Sequence, residues 1–171
     1  MSQITHPELV SALCKSGADI ATELNNNKLE KALLMNAVES VMAEGGYLER
    51  CKKRVIYNKK DNESDPETGK LYPNITAKQA HLLHMAIGIT GEAIELLEQI
   101  YTHTAEGEEL DYENVLEELG DLEFYIEGFR QGCQINRETA LNQNIAKLSK
   151  RYSSLSYSDS AAQERADKVE A

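Results

Sequence analysis

Residues 81–100 read HLLHMAIGITGEAIELLEQI and residues 113–129 read ENVLEELGDLEFYIEGF, and these two stretches decide the fold. In the first, Ile89, Ala93, Leu96, Leu97 and Ile100 recur at helical spacing; in the second, Val115, Leu119, Leu122, Ile126 and Phe129 do the same. A stripe of that period predicts an amphipathic helix that packs its stripe against a neighbour. Two acid pairs accompany the stripes. Glu92 lies at the edge of the first with Glu95 just beyond it, and Glu118 lies at the edge of the second with Asp121 beyond. A separation of three residues leaves two side chains about 60° apart and about 4.5 Å along the axis, so each pair presents both carboxylates on one side. Stripe packed on stripe then brings the two pairs together.

Carboxylates gathered in this way repel one another unless a cation joins them. Oxygen donors without histidine or cysteine suit a hard cation, Mg²⁺ or Mn²⁺. Bound Mg²⁺ keeps positions open for phosphate oxygens, so a substrate with a polyphosphate is expected. Acids at helical spacing more often form a solvated face, and either pair alone says little in a chain with 29 acidic residues. Against that reading, both pairs flank an apolar stripe rather than lie opposite it. Gly91 and Gly120 also stand beside acids inside the helices. Glycine there costs about 1 kcal/mol relative to alanine, which predicts a close approach.

Outward from this centre the chain continues to read as helix. Thr76 with Gln79 matches a capping box, so the first acid-bearing helix is expected from there to about Tyr101. Asp111 is the expected N-cap of the second, which should run to about Gln131 and stop at Gly132. Asn136 can cap a third, with Glu138 in its first turn, Leu141, Ile145 and Leu148 inward, and Lys147 and Arg151 four apart on one face. Upstream, residues 7–24 predict one helix, broken by Asn25-Asn26-Asn27. Residues 28–44 predict another, interrupted by Gly45-Gly46 and resumed to Tyr57. Arg50, Lys52, Lys53 and Arg54 form the densest positive cluster and read as a solvated face near a helix C-terminus. His81 and His84 read as ordinary helix histidines. Residues 58–75 are polar and rich in turn formers, a surface loop. Residues 153–171 form a Ser-rich, then charged tail expected to lie against the body or a neighbouring subunit. No stretch alternates with period two for more than a few residues, so the expected fold is all-α, a single domain over 1–171 with N-terminal helices and loop at 1–75, acid-bearing and basic helices at 76–152 and the tail at 153–171.

Composition narrows the function. The net charge of −11 disfavours binding to a nucleic-acid polymer. Three cysteines, Cys14, Cys51 and Cys133, far apart in sequence, predict free thiols rather than a disulfide framework or a zinc site. No apolar run approaches a membrane span, and no basic-then-apolar leader opens the chain, so the expected compartment is the cytoplasm. A carboxylate-bridged di-iron bundle needs Glu-x-x-His motifs, and none occurs.

The residues GITGEAIELLEQI (88–100), EELGDLEFYIEG (117–128) and NIAKLSKRY (144–152) resemble the MazG-like all-α nucleoside triphosphate pyrophosphohydrolases, in particular their small phage-type members. The resemblance covers roughly 76–168 and implies a MazG-like helical bundle. It implies hydrolysis of a (deoxy)nucleoside triphosphate, a purine such as dGTP among the candidates, to the monophosphate and pyrophosphate. It implies Mg²⁺, with Mn²⁺ as a substitute, held by Glu92, Glu95, Glu118 and Asp121, with Glu95 and Glu118 in the catalytic step. Asn144, Lys147 and Arg151 would bind the substrate phosphates. It also implies a homodimer or homotetramer. Asn36, Glu39 and Ser40 are the polar positions that a base pocket would use. A phosphoribosyl-ATP pyrophosphohydrolase, or a non-catalytic module that binds a nucleotide or a partner protein, fits the same acids.

Overall fold

The computed structural model describes residues 4–13, 15–57 and 76–168. Among these there is no strand, and the fold is all-α as expected. In chain order the helices are α1 His6–Leu13, α2 Gly17–Asn26, α3 Lys28–Ile56, α4 Ala77–Tyr101, α5 Tyr112–Cys133, α6 Arg137–Arg151 and the short α7 Asp159–Glu164. A π-helical turn, Thr102–Glu106, follows α4, and a 3₁₀ turn, Ala166–Lys168, follows α7. None of the described helices is long and apolar enough to cross a membrane. Two compact units result, one of Met1–Lys31 with Ile135–Ala171 and the other of Ala32–Gln134.

The Ala32–Gln134 unit is built on the pairing of α4 with α5. The Thr76 hydroxyl accepts from Gln79 N, and the Gln79 side chain accepts from Thr76 N, so the predicted capping box starts α4. Asp111 caps α5 through Glu113 N and Asn114 N at 3.1 and 3.0 Å. Glycines on each helix receive large side chains of the other. A Cβ at Gly88 would run into the Tyr125 ring, and one at Gly128 would run into Met85. Residues early in α4 therefore meet residues late in α5, and the two helices are antiparallel. α5 does not stop at Gly132, where a Cβ would lie 2.8 Å from His81 and Leu82. It ends at Cys133, with Gln134 in the left-handed conformation at φ 59°.

The buried faces are rotated from the predicted stripes. On α4 the buried residues are Met85, Gly88, Gly91 and Glu92, while Ala93 and Ile100 are exposed. On α5 they are Glu118 and Tyr125, while Leu119 is exposed. The seam alternates steps of three and four residues, as in packed antiparallel helices, and the acids Glu92 and Glu118 lie within it rather than at its edge.

α3 differs from expectation in one respect. It runs unbroken through Gly45-Gly46. A Cβ at Gly45 would collide with Ile94 of α4, so this glycine serves a close helix contact rather than an interruption.

In the other unit, Leu9, Leu13 and Tyr152 form a buried cluster, joined by Ile4, Ile145, Leu148, Tyr157, Ala161 and Ala162. The predicted 7–24 helix is two helices, α1 and α2, that part between Leu13 and Gly17. Ser16 explains the restart, because its hydroxyl accepts from Asp19 N at 3.1 Å as a cap. The tail packs as expected: Tyr157 N donates to Ala12 O at 3.1 Å, and Lys15 pairs with Asp159 at 3.1 Å. Asn136 caps α6 through Glu138 N at 2.8 Å. The predicted 58–75 loop, Cys14 and the last residues of the tail lie outside the described residues.

Candidate metal centre

One carboxylate oxygen from each of Glu92, Glu95 and Glu118 lies within 4.8 Å of the others. Two come from α4 and one from α5, so the centre exists only because the antiparallel seam matches Glu92 to Glu118. Glu92 and Glu118 are buried, at 7% and 5% exposure, and Glu95 is half-buried. All three carboxyls are held above their ordinary range. Burial is the largest cause for each, followed by the neighbouring carboxylates: Glu95 acting on Glu92, Glu118 acting on Glu95 and Glu92 acting on Glu118. Asn114 Nδ2 donates to Glu118 Oε1 at 3.4 Å, one turn earlier on α5.

Asp121 is placed differently. It is exposed and outside the group of three, although its charge still raises Glu92. A helical wheel does not separate the two: Asp121 lies about 60° round the axis from Glu118, on the same side as Tyr125, whose ring meets Gly88 of α4.

α3 adds two residues that the sequence did not single out for the site. Glu49 Oε2 lies 2.6 Å from Lys52 Nζ, and Lys53 Nζ lies 3.1 Å from Glu49 Oε1. Lys52 Nζ also stands 4.0 Å from Glu92 Oε1 and 5.5 Å from the centre of the Tyr125 ring. Lys52 is thus buried, against the expectation that the whole 50–54 cluster is a solvated face. Glu49 Oε2 is buried and makes no hydrogen bond of good geometry, the contact with Lys52 being an ion pair. The negative charge of Glu49 raises Glu95 as well. Glu49, Gly91, Glu95 and Glu98 line a cavity of about 140 Å³ together with Gly45, Gly46 and Ile94.

These residues fit a metal ion. The donors are all carboxylate oxygens, the choice of hard divalent cations. Lys52 and Lys53 both pair with Glu49, and Lys52 reaches Glu92 at 4.0 Å, while Glu92, Glu95 and Glu118 raise one another, a mutual repulsion that a divalent ion would relieve. The close approach predicted at Gly91 is present, since a Cβ there would lie 3.2 Å from Glu49 Oε2. At Gly120 nothing among the described residues lies within 4 Å of the corresponding position, so that glycine marks no approach among them.

Asn144, Lys147 and Arg151 lie on α6, in the unit of Met1–Lys31 and Ile135–Ala171. They do not form one cluster of unmet charge. Asn144 Oδ1 bonds His6 Nε2 at 3.3 Å, Lys147 is exposed, and Arg151 clasps Asp167 with Nε–Oδ1 and Nη2–Oδ2 distances of 2.5 and 2.9 Å. His81 Nε2 bonds Gly128 O at 3.1 Å and His84 Nε2 bonds Tyr57 Oη at 3.1 Å, which agrees with structural roles for both. Of the residues considered for a base pocket, Glu39 accepts from the Tyr101 hydroxyl and the Ser40 hydroxyl donates to Asn36 O. Cys51 and Cys133 are free. Comparison with protein-family models, with curated proteins and with solved structures found no match to this chain.

Proposed function

We propose that the protein hydrolyses a (deoxy)nucleoside triphosphate, a purine such as dGTP among the candidates, to the monophosphate and pyrophosphate in a metal-dependent reaction. The convergence of the Glu92, Glu95 and Glu118 oxygens within 4.8 Å, with burial and one another holding their carboxyls above the ordinary range, carries this reading. The resemblance of residues 88–100, 117–128 and 144–152 to MazG-like enzymes supplies the nucleotide. Glu92, Glu95 and Glu118 would hold a divalent ion, Mg²⁺ or Mn²⁺, which would supply charge neutralisation for the phosphates and make water more acidic.

The chain's own residues divide the work. Glu92 and Glu118 are the buried ligands, held by the α4–α5 seam. Glu95, half-buried and facing the cavity, accepts the proton of the attacking water, for which a carboxyl held above its ordinary range is suited. Asp121 joins the ligand set from the exposed edge. The resemblance alone assigns phosphate contacts to Lys147 and Arg151, and Arg151 would have to leave Asp167 to make them.

Exposed apolar side chains support self-association. Leu116 and Phe124 on α5 are 73% and 65% exposed, and Leu33, Leu34 and Val41 on α3 are exposed as well. Single exposed apolar residues are ordinary, but a run of them along two helices calls for a partner surface. A homodimer or homotetramer covers them, and gel filtration at the monomer mass of 19.1 kDa counts against it.

A product analysis tests the activity. The purified protein is incubated with each NTP and dNTP, with and without Mg²⁺ or Mn²⁺. Monophosphate and pyrophosphate formed only with metal support the reading. Diphosphate and phosphate as products, or no turnover while metal binds, overturn it.

A further inference from the structure

We propose that Lys52 is a positioning residue of the carboxylate centre, which holds Glu92 in place and stands in for a cation when none is bound; this role rests on the metal-binding reading above. The placement of Lys52 is unlike that of its neighbours. Its side chain is 3% exposed, whereas Lys53 is 44% exposed and Arg50 is exposed. A buried ammonium is costly unless carboxylates and polarisable groups replace its water. Here Glu49 lies at 2.6 Å, Glu92 at 4.0 Å and the Tyr125 ring at 5.5 Å. Gly91 of α4 leaves the space, since a Cβ would come 3.2 Å from Glu49 Oε2 and 3.8 Å from Lys52 Nζ.

Glu92 therefore has two calls on its charge. One oxygen faces Lys52, and the carboxylate also belongs to the group with Glu95 and Glu118. A divalent ion bound to that group enters the same negative field that the ammonium occupies, so ammonium and metal each do part of the same task. Without Lys52 the empty centre repels itself more strongly, and a metal ion then contributes more to the folded state than it does in the native protein.

The test is thermal unfolding of the full chain, without metal and with Mn²⁺, for the native protein, Lys52→Met and Lys52→Arg. Lys52→Met keeps an apolar stem and drops the charge. It is expected to unfold at a lower temperature than the native protein without metal, and to gain more from Mn²⁺ than the native protein gains. Lys52→Arg, which keeps the charge, should follow the native protein. Should Lys52→Met not fold without metal, refolding on addition of Mn²⁺ is the same result, and failure to refold at Mn²⁺ concentrations that saturate the native protein overturns the proposal. Equal Mn²⁺-induced gains in Lys52→Met and the native protein also overturn it while leaving the metal centre intact. Calorimetric titration of the native protein with Mn²⁺ separates the two ideas, because a native protein that takes up no Mn²⁺ removes the metal centre and the role of Lys52 together.

Discussion

Charge is handled in opposite ways in the two units. Around the α4–α5 seam, Glu49, Glu92, Glu95 and Glu118 outnumber the lysines that face them, and the three carboxyls of the cluster are held above their ordinary range. On α6, Arg151 and Asp167 meet one for one as a two-pronged pair, and Asp167 is pulled down to about 2. A matched pair ties chain to chain and needs nothing further. An unmatched carboxylate group inside a helix seam is costly to the fold by itself, and that cost is what marks it as a place for a ligand. Acid content alone does not separate the two, since the whole chain is acidic.

The widest difference is expected in turnover. Glu118→Gln preserves helix propensity and shape, and should lower metal-dependent hydrolysis on the order of 100-fold or more, since even residues one step removed from a metal matter 10- to 100-fold. Steady-state rates with the preferred triphosphate check this, and an unimpaired variant would remove Glu118 from the site. Next in size is Gly88→Ala. The added methyl meets the Tyr125 ring, against which helix propensity offers only a partial offset. A loss of about 1–3 kcal/mol in urea unfolding is expected, and a neutral outcome would show that the seam has slack and does not set the Glu92–Glu118 distance.

A smaller effect belongs to the matched pair. Arg151 holds the Asp167 carboxyl below its usual 3.8, at about 2. The ionised form is thus favoured in the fold, so its stabilisation is fully present above the usual value and lost as pH falls from there to about 2. Unfolding midpoints followed through that range should decline in the native protein and decline less in Asp167→Asn. Parallel curves would mean that the clasp does not hold the tail. Smallest is Gly120→Ala, which meets no atom of the described residues within 4 Å and should stabilise α5 by up to about 1 kcal/mol. A destabilising result would point to a neighbouring subunit packed at that position.

How much of this was legible in the sequence follows from where each piece of information resides. Helix starts were readable because caps are local: Thr76, Asp111 and Asn136 each bond to backbone N–H groups two or three residues on. Three of the four acids were readable because period and spacing place them near the seam. Asp121 was not separable from Glu118 by spacing alone, since the helical wheel places both beside Tyr125, yet one is exposed and the other buried. Gly45 looked like a break, although its purpose is contact with Ile94, a residue 49 positions away. Lys52 looked like one of four surface cations, because only the packing of α3 decides which of them turns inward. Local signals survive in a sequence, whereas rotations of one helix against another do not.

The most direct test of the central claim is calorimetric titration of the metal-free protein with Mn²⁺, native against Glu118→Gln. Glu92, Glu95 and Glu118 acting as one centre predict saturable binding in the native protein and loss of it, or weakening of about tenfold or more, in the variant. Equal binding in both, or none in the native protein, would contradict a metal centre on the α4–α5 seam.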